Sequence, residues 1–577
     1  MLDTASQTRP PADNSNRWKR DTAVAQLCDF ESVQQQGISQ RQFARDQQIP
    51  RTTLQGWRAR KHAIEAPTAL VDFFESPEGL ALLHRMTLAA HLVMTLMGNC
   101  GIRLVSRFFE LAGLTPFLAN SYGAQHALNA QVHRQVRDFG AHQRQQLATK
   151  MPHRKVALCA DETFPTGGLC LVAIEPVSNF ILLESYEEKR DVDTWNRVID
   201  DGIDGLNLTI ESLSTDQAAA LKKLARDREA ARSPDLFHVQ HDVNKACVLP
   251  LWNQQTAAHH TLETASAALA GQRQNREDYD AGPRPRGRRP HFETRIACAQ
   301  AAEVAAQVQF QQVAQWRAQR ADAVAGLARS YHPYDLETGV CRPCAVVETE
   351  LTEHLQAVKA MAVAARLSKT ARERLEKAER VLPEMVTYLS WFHGAVEQRL
   401  DGAAVSAAER GWLSESLVPG AYLRGAASRA PTAERKAAIT EASQRCLASV
   451  SAPDSGWWQL PLARRERLEG LAWECAALFQ RSSSCVEGRN GQLALYDHST
   501  RGLSPEKLEA LTVIHNYVAR RPDGTTAAER FFGTAPDDLF QWLVERIPVP
   551  TRPAKRRARS HKTTLVEASQ RTDWPKR

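Results

Sequence analysis

Apolar residues recur every three or four positions across residues 22–61, which predicts three short helices. Their common core is expected to contain Val24, Leu27, Phe30, Val33, Phe43, Ala44, Ile49, Leu54 and Trp57. Gly37 breaks the chain, and Ser39 is suited to cap the second helix. A third helix, opened by Pro50, would expose a polar face made of Arg51, Thr52, Gln55, Arg58 and Arg60. A helix-turn-helix presents such a face to the DNA major groove; the alternative is a small helical bundle without a DNA function.

Residues 76–151 are also apolar at helical intervals, with breaks at Gly101 and Gly113. The part from 101 to 136 could hold a second helix-turn-helix, or a bundle for packing or dimerisation. The most apolar stretch, residues 86–97, is about a dozen residues long and contains His91. It is therefore predicted to be a buried helix, too short to cross a bilayer.

The pattern changes at residue 155, where short runs of apolar and β-branched residues alternate with turn signals. Three adjacent strands are predicted in KVALCADET and in the two halves of GLCLVAIEPVSNFILLESYEE, which a Pro-Val-Ser-Asn turn joins. A helix at about 192–203, a strand LTIESLSTD, a helix at 217–228 and a strand DLFHVQHD follow. This order, β-β-β-α-β-α-β, is that of the ribonuclease H fold.

From about residue 245 to 481 the pattern is helical without strand-like alternation, which predicts an inserted helical domain. A helix around Glu487 comes next, then a helix begun by Ser504 and Pro505, and a last one with a capping box of Thr526 and Glu529. The predicted fold class is multidomain α and α/β. A helix-turn-helix precedes a mixed-sheet catalytic domain, and a large all-helical insertion interrupts that domain.

A chain of 577 residues is too long for a single core, so several domains are expected. The first two predicted regions are a helix-turn-helix domain at 1–65 and a helical DNA-binding or dimerisation region at 66–150. The remaining predicted regions are a ribonuclease H-like first part at 151–245, the helical insertion at 246–480, the catalytic second part at 481–545 and a basic C-terminal tail at 546–577.

The net charge of +7 is concentrated in two basic clusters, which are Arg284, Arg286, Arg288 and Arg289, and Arg552, Lys555, Arg556, Arg557, Arg559 and Lys562. Such clusters suit a polyanionic partner or serve as solvated, solubilising segments. The first twenty residues lack the apolar core of a secretory signal, and the eleven cysteines form no disulfide framework. A cytoplasmic protein without a membrane partner is expected.

Acidic residues occupy the positions that two-metal cleavage of a phosphodiester would use. That chemistry needs carboxylates from different elements that converge on two ions about 3.5 to 4 Å apart. In the ribonuclease H topology they lie on the first strand, just beyond the fourth strand and on a late helix. The corresponding residues are Asp161 in CADET, Asp216 in STDQAAALKKL and Glu487 in SSCVEGRNGQL.

Each of these three acids has an alternative. Glu162 adjoins Asp161, but neighbours on a strand point to opposite faces, so only one can face the site. Asp216 could instead serve only to cap the helix that follows it. The other candidates for the third acid are Glu474, Glu506 and Glu529.

Several of these segments resemble known sequences. DETF, LVAIEPVSNFILLE, the Thr-Asp pair at 215–216 and PDLFHV together resemble bacterial insertion-sequence transposases of the DDE class. VEGRNGQLALYDHSTRGL, the HNY at 515–517 and TTAAERFFG are similar to the closing helices of DDE transposases and retroviral-type integrases. GISQRQFARDQQIPRTTLQGW resembles the homeodomain-like helix-turn-helix units of many transposases and resolvases. One departure is ARRPDG, where related enzymes often have an N-x-x-R-P-H-type sequence.

The resemblance implies that Asp161, Asp216 and Glu487 hold two Mg²⁺ or Mn²⁺ ions. It implies a transposase that binds the terminal inverted repeats of its mobile element and cleaves and transfers DNA strands. The expected partners are double-stranded DNA, at the element ends and the target, and further copies of the chain in a dimer or higher oligomer. The expected location is the bacterial cytoplasm, with the nucleoid. The alternatives are a non-catalytic DNA-binding regulator derived from a transposase and a stand-alone metal-dependent nuclease.

Two further groups of residues could bind metal or DNA. His238 and His241 are expected to flank the fifth strand near the acids, either as structural histidines or in contact with DNA or a metal-bound water. Cys341 and Cys344 form a C-x-x-C with His332 upstream. No second ligand pair is recognisable, so two reduced surface thiols are preferred to a zinc site.

Tryptophans in the insertion suggest one more role. Related transposases with a domain at this point often cut DNA through a hairpin and hold a flipped base with an aromatic residue. The insertion is accordingly expected to lie over the DNA near the active site. The candidates are Trp391, Trp412, Trp457 and Trp458, with core packing as the alternative for each.

Overall fold

The computed structural model describes residues 18–165, 168–283, 286–500 and 502–554. Their contacts divide the chain into two compact units. The first consists of the described parts of Met1–Gly140 and Asp538–Arg577, and the second of those of Ala141–Asp537. Some predicted features lie outside the described residues, namely the start of the helix-turn-helix domain at 1–17, Arg284, and the tail residues Lys555, Arg556, Arg557, Arg559 and Lys562.

The N-terminal part of the chain is helical. Its helices are α1 (Arg20–Gln34), α2 (Gln40–Asp46), α3 (Arg51–His62), α4 (Thr68–Phe74), α5 (Pro77–His91), α6 (Ile102–Leu111) and α7 (Tyr122–Ala148). A π-helical segment, Leu92–Met97, continues α5. The predicted helical character of residues 22–151 is confirmed.

Helices α1, α2 and α3 form the small core predicted from the sequence. Its buried members are Ala23, Leu27, Phe30, Phe43, Ala44, Ile49, Leu54 and Trp57. Ser39 caps α2, because its side chain accepts a hydrogen bond from the backbone of Gln42. Gly37 supplies the turn before α2 with a φ of +90°, a conformation that glycine adopts without strain. Val24 differs from the prediction, since it is buried in a second core with residues of α5 and α6.

The apolar helix Pro77–Met97 is longer than the sequence pattern indicated. It has 21 residues, so it meets the length and composition of a membrane span, and the prediction that it is too short is wrong. However, 56% of its most apolar window is buried inside the protein. Its buried His91 also binds two side chains of α7, with Nδ1 3.1 Å from Asn129 Oδ1 and Nε2 2.8 Å from Gln125 Oε1. These are the contacts of a core helix.

The second unit contains a five-stranded mixed sheet. Its elements follow in the order β1 (Arg154–Thr163), β2 (Leu169–Glu175), β3 (Phe180–Glu187), α8 (Val192–Ile203), β4 (Leu208–Thr215), α9 (Ala219–Asp227) and β5 (Ala231–Pro234). The predicted order β-β-β-α-β-α-β is observed, although the last strand lies at other residues than predicted. In space the strands lie in the order β3-β2-β1-β4-β5. β1 is antiparallel to β2 and parallel to β4, β2 and β3 are antiparallel, and β4 and β5 are parallel.

The first strand is central, which explains its nearly continuous run of apolar residues. Residues 156–161 are all buried, as expected for a strand that is covered on both faces. The predicted turn between β2 and β3 is also present. The Glu175 carboxylate accepts hydrogen bonds from the backbone of Val177 and Ser178, and Asn179 adopts a positive φ of 64°.

The predicted fifth strand, DLFHVQHD, is wrong. β5 ends at Pro234, and the Asp235 side chain caps the next helix, α10 (Leu236–Ala281). Aspartate is a strong N-cap residue, and a proline just before it ends the strand ladder. His238 and His241 therefore lie on the first turns of a helix rather than beside a strand.

The segment after β5 is helical, as predicted. Its helices are α10, α11 (Phe292–Ser330), α12 (Cys344–Ala364), α13 (Lys369–Glu379), α14 (Leu382–Gly402), α15 (Ala407–Trp412), α16 (Val418–Ser428), α17 (Ala433–Ser451) and α18 (Leu462–Ala477). A π-helical segment, Leu413–Leu417, joins α15 to α16. The aromatic part of its core consists of Tyr331, Tyr334, Tyr388, Phe392, Tyr422, Trp457 and Phe479.

The closing helices are α19 (Ser484–Thr500), α20 (Pro505–Tyr517), α21 (Ala527–Phe532) and α22 (Leu539–Arg546), the last of which belongs to the first unit. The HNY motif attaches α20 to the outer strand β3. The Asn516 amide donates to Ile181 O and accepts from Ile181 N, both at 2.9 Å, and so takes the place of a neighbouring strand. His515 Nε2 lies 2.8 Å from Asn179 O.

A buried ion pair attaches α19 to the same sheet. Arg489 donates two hydrogen bonds to the Glu184 carboxylate on β3, at 2.8 and 2.6 Å, and both side chains are at most 4% exposed. Thr512 Oγ1 donates a further hydrogen bond to Glu184 at 2.5 Å. Because the geometry is bidentate, it fixes the rotation of α19 as well as its position.

Loss of one partner of this ion pair should strongly destabilise the second unit. Arg489→Leu leaves the Glu184 carboxylate buried without its counter-ion, and we expect the free energy of unfolding to fall by about 3 to 5 kcal/mol. The matched control is Lys369→Ala, because the ion pair of Lys369 with Glu373 is exposed and should contribute at most about 1 kcal/mol. Chemical denaturation measures the free energy of unfolding of both variants. Equal losses would show that the buried ion pair stabilises the protein no more than the exposed one.

Candidate functional site

Two of the predicted acids meet at one edge of the sheet. Asp161 lies near the end of β1, and Asp216 directly follows β4. Since these strands are parallel neighbours, with Ala160 opposite Thr215, their carboxyl ends bring the two side chains together. The ligand atoms of Asp161, Asp216 and His238 all lie within 4.8 Å of one another. We call these three residues the acid cluster.

Glu162, the alternative to Asp161, takes part in a different contact. Its carboxylate forms an ion pair with Arg190, with Oε2 2.8 Å from Nη1. Asp161 Oδ1 accepts a hydrogen bond from the backbone of Glu162 at 2.8 Å. The two neighbours thus have separate partners, as the alternation of side chains on a strand predicts.

The capping alternative for Asp216 is realised only in part. Asp216 Oδ1 accepts a hydrogen bond from Ala218 N at 2.8 Å, which helps to start α9. The formal N-cap of that helix is Ala218, whose side chain makes no capping hydrogen bond. A carboxylate has about four acceptor positions, so this single bond leaves capacity for a cation. Asp216 can therefore fill both roles.

His238 is the member of the cluster to which the sequence pattern gave only a secondary role. It lies in the first turn of α10, and its Nε2 is 3.9 Å from Asp235 Oδ2. Within the described residues, Nε2 is buried and has no hydrogen-bond partner. A buried ring nitrogen without a partner is costly unless a proton donor or a metal ion satisfies it. Recognition of Asp235 as an N-cap would have placed this histidine beside the acids.

Glu487 lies in the first turn of α19, which packs against β1 and β2. Its side chain is half-buried, and its negative charge acts on Asp161. It is close to the acid cluster but outside the group whose ligand atoms lie within 4.8 Å. The segment before α19 is held in place because Ser483 N and Oγ both donate to the Asp235 carboxylate. Asp235 therefore links the helix of His238 to the helix of Glu487.

Burial raises the pKa of Asp161 to about 7. The backbone N–H of Glu162 and the imidazole of His238 oppose that rise, whereas Glu487 and Asp216 add to it. A carboxyl group in this state holds a proton near neutral pH unless a cation replaces the proton. The cluster could therefore hold either a proton or a cation at neutral pH.

The donor set suits hard divalent cations. Carboxylate oxygens, which make up most of the set, are the preferred ligands of Mg²⁺ and Mn²⁺, whereas an imidazole is more typical of Zn²⁺ and Fe²⁺. The unpartnered His238 nitrogen and the raised pKa of Asp161 both fit a bound ion. Asp161, Asp216 and His238 would hold the ion, with Glu487 on the adjoining side.

The predicted DNA-reading residues lie on α3. Arg51, Thr52 and Gln55 are exposed. Arg58 is half-buried, and its guanidinium lies 5.3 Å from the centre of the Phe30 ring. This cation–π contact stabilises the small core, so Arg58 has a packing role beside any contact with DNA.

The four tryptophans have different surroundings. Trp391 stacks on Tyr388 at 5.1 Å, and Trp412 packs edge-on against the buried Trp457 at 5.8 Å. Trp458 is 54% exposed and lies beneath the guanidinium of Arg465. Core packing thus explains three of the four.

His332, the histidine upstream of the C-x-x-C, has other partners. His332 is buried, with Nδ1 2.6 Å from the Tyr422 hydroxyl and Nε2 2.7 Å from Arg481 Nη1. A different histidine, His393 on α14, lies beside the thiols of Cys341 and Cys344.

Comparison with known proteins gives one family match. Residues 413–559 match the model of a family of unknown function, DUF6399. This region contains Glu487 and the HNY motif, but it includes neither Asp161 nor Asp216. A search of curated proteins found no match.

The pKa of Asp161 predicts how the stability of the metal-free protein depends on pH. The folded state binds the Asp161 proton more tightly than the unfolded chain, in which the carboxyl has a pKa near 3.8. The stabilisation that this proton gives the folded protein is therefore complete below pH 3.8 and is lost as the pH rises through about 7. As the pH rises from 3.8 to 7, the free energy of unfolding of Asp161→Asn should increase relative to that of wild type, by up to about 4 kcal/mol.

The measurement is thermal unfolding in EDTA at a series of pH values. The control is Glu162→Gln, which changes the neighbouring carboxyl and should keep the wild-type slope. Added Mg²⁺ should restore the stability of wild type at neutral pH but not act on Asp161→Asn. Parallel profiles for Asp161→Asn and wild type would rule out a raised pKa at this residue.

Proposed function

We propose that this protein is a DNA transposase of the DDE class, which cleaves and transfers DNA strands with the help of two divalent metal ions. The observation that carries this proposal is the convergence of Asp161, Asp216 and His238, with the charge of Glu487 acting on the same site. These residues come from four elements, and Glu487 arrives only after the helical insertion. Convergence across such a separation suits a built site better than a chance surface cluster.

The arrangement of the second unit supports a ribonuclease H-like catalytic domain. The order β-β-β-α-β-α-β is that of this fold, and the sheet is mixed, as the proposal requires. Asp161 lies on the first strand, Asp216 lies beyond the fourth, and Glu487 opens a late helix. A helical domain separates the second acid from the third, as in the predicted architecture.

When bound, the two ions would activate the attacking oxygen and stabilise the leaving one. Asp161 and Asp216 would supply carboxylate oxygens between them, since their ligand atoms lie together. His238 would supply its buried Nε2, while Asp235 keeps its helix in position. Glu487 would contribute its carboxylate from α19, on the adjoining side of the acid cluster.

The N-terminal helices supply a second function, recognition of the element ends. The exposed face of α3, with Arg51, Thr52 and Gln55, has the donors and acceptors that read base edges in the major groove. Two or more copies of the chain would bring two ends together. A sequence reader of this kind favours a transposase over a stand-alone nuclease, and the acid cluster favours an enzyme over a non-catalytic regulator.

A base-holding role in the insertion is best assigned to Trp458. It is the exposed member of the four tryptophans, and its ring already contacts a cation, Arg465. An exposed indole can stack on an unpaired base, whereas the half-buried Trp391 and Trp412 and the buried Trp457 already pack against other rings.

The acids can be tested with DNA cleavage by the full-length protein on DNA that carries the inverted repeats flanking its gene. Asp161→Asn and Asp216→Asn should each reduce the cleavage rate by about 100-fold or more, because each removes a charged ligand. Glu487→Gln should do the same. The effects should not add, since the residues act as one unit.

Two neighbouring acids serve as matched controls for that assay. Glu162→Gln lies next to Asp161 but pairs with Arg190, and Glu474→Gln removes another helical glutamate that was a candidate for the third acid. Both should keep cleavage within a few-fold of wild type. Near-normal cleavage by Asp161→Asn or Asp216→Asn would refute the mechanism, whereas near-normal cleavage by Glu487→Gln would refute only the third acid.

The exposed face of α3 predicts a loss of sequence preference in two variants. Arg51→Ala and Gln55→Ala should each weaken binding to the element ends by about 1 to 3 kcal/mol, with a much smaller effect on scrambled DNA. Arg372→Ala, an exposed arginine on α13, should leave the ratio of the two affinities unchanged. Gel-shift titration at fixed salt measures that ratio. An unchanged ratio in both α3 variants would show that α3 does not read the ends.

A further inference from the structure

Three arginines in and just after the helical insertion lack an acidic partner. Arg429 follows α16, Arg435 lies in the first turn of α17, and Arg481 lies between α18 and α19. Arg429 is exposed, and the other two are half-buried. Within the described residues none of the three forms an ion pair, whereas the nearby Arg342 pairs with Glu350 at 2.5 Å. We call Arg429, Arg435 and Arg481 the arginine cluster.

Arg481 is held in place by two neutral acceptors. Its Nη1 donates to Ala328 O at 2.7 Å and lies 2.7 Å from His332 Nε2. His332 Nδ1 in turn lies 2.6 Å from the Tyr422 hydroxyl on α16. Burial and the surrounding arginines lower the pKa of His332, so its imidazole is neutral and can accept the hydrogen bond from Arg481. These bonds orient the guanidinium of Arg481 but leave its charge uncompensated.

Arg429 and Arg435 approach Arg481 from two other segments. The Arg429 side chain folds back along α16, because its Nε donates to Gly425 O at 3.2 Å, and Gly425 lies one turn from Tyr422. Arg435 belongs to the start of α17, which packs against α16. The positive charges of Arg429 and Arg435 both act on Arg481. The three guanidinium groups therefore converge from three segments of the chain.

This convergence is unfavourable without an anion. Burial, together with the positive charges of Arg429 and Arg435, lowers the pKa of Arg481. Arg435 also lies at the positive end of the α17 dipole, a position that disfavours cations. Like charges that are partly withdrawn from water repel each other and lose solvation. A bound anion would offset each of these costs.

A phosphate group suits the arginine cluster better than a carboxylate does. Guanidinium groups bind phosphate oxygens through paired hydrogen bonds. Three positive charges exceed the single negative charge of a carboxylate side chain. One free phosphate ion carries about two negative charges at pH 7, and consecutive phosphates of a DNA backbone carry one each. Either source supplies the charge and the acceptor oxygens that the cluster lacks.

We propose that Arg429, Arg435 and Arg481 bind phosphate groups. That these groups belong to a DNA backbone rests on the proposed function, whereas the phosphate chemistry does not. Arg481 is suited to hold DNA near the acid cluster, because its carbonyl accepts a hydrogen bond from Leu236 N at 3.0 Å, at the start of the helix that carries His238. DNA bound by the arginine cluster would thereby be fixed to the segments that position the acids.

The first test measures binding of inorganic phosphate by the full-length protein. EDTA keeps metal ions from the acid cluster, and sodium chloride keeps the ionic strength constant. Phosphate should raise the temperature of thermal unfolding of wild type, and the concentration dependence gives a dissociation constant. Arg435→Gln and Arg481→Met should each raise that constant at least about 10-fold, since each removes a charged hydrogen-bond donor. The control is Arg445→Gln, an exposed arginine further along α17 that pairs with Glu441 and should leave the constant unchanged.

The second test identifies the source of the phosphate. DNA binding is measured at several salt concentrations, because each phosphate contact contributes about 0.9 to the slope of log K against log salt. Arg435→Gln should lower this slope by about 1 for element ends and scrambled DNA alike, whereas Arg445→Gln should leave it unchanged.

The two tests fail separately. An unchanged slope in Arg435→Gln, together with weakened binding of inorganic phosphate, would refute the role in DNA binding and assign the arginine cluster to a free phosphate compound. Unchanged binding of inorganic phosphate in both Arg435→Gln and Arg481→Met would overturn the site itself, whether or not the protein cleaves DNA. Should Arg481→Met fail to fold, Arg435→Gln alone decides, because Arg435 makes no side-chain hydrogen bond within the described residues.

Discussion

The position of α19 depends on buried hydrogen bonds between segments that are distant in sequence. Arg489 pairs with Glu184 on the sheet, and Ser483 binds the Asp235 carboxylate. Ser233 Oγ donates to Gln480 O at 2.5 Å, and Leu236 N donates to Arg481 O at 3.0 Å. Together these bonds hold the chain that leaves the insertion against the end of β5. Glu487 can approach Asp161 only because this junction is ordered.

The same junction concentrates negative charge around the buried Asp161. Burial and the charges of Glu487 and Asp216 all raise the pKa of Asp161. In the absence of a cation, protonation relieves this repulsion, and in its presence the ion does so. The buried contacts of α19 therefore offset the cost of bringing the acids together.

Local sequence signals were sufficient for much of this arrangement. The order of strands and helices in the second unit, the core of α1 to α3, and the positions of Asp161 and Asp216 at strand ends follow from periodicity and turn residues. The convergence of Asp161 and Asp216 follows from the strand order alone, because parallel neighbouring strands have their carboxyl ends at the same edge of the sheet. Glu487 could be predicted only through resemblance, since nothing local relates a helical glutamate to a distant sheet.

Other features depended on contacts that no local pattern encodes. The apolar run after Pro234 suits a strand or a helix equally, and the capping bond of Asp235 decides in favour of the helix that carries His238. His393 lies beside the C-x-x-C only because of the packing of α14. His332 is nearer in sequence, but its ring nitrogens contact Tyr422 and Arg481 instead. The positions of His238 and His393 were thus determined by tertiary contacts rather than by local secondary-structure propensity.

The central claim of the proposed function is that Asp161, Asp216, His238 and Glu487 hold two metal ions in one site. Electron paramagnetic resonance of the full-length protein titrated with Mn²⁺ tests it most directly, because two ions about 4 Å apart give a spin-coupled signal. We predict two Mn²⁺ per chain with a coupled signal in wild type and in Glu162→Gln. The coupled signal should be lost in Asp161→Asn, and the second ion in Glu487→Gln. A single uncoupled ion in wild type, or a coupled pair that survives in Asp161→Asn, would contradict the account.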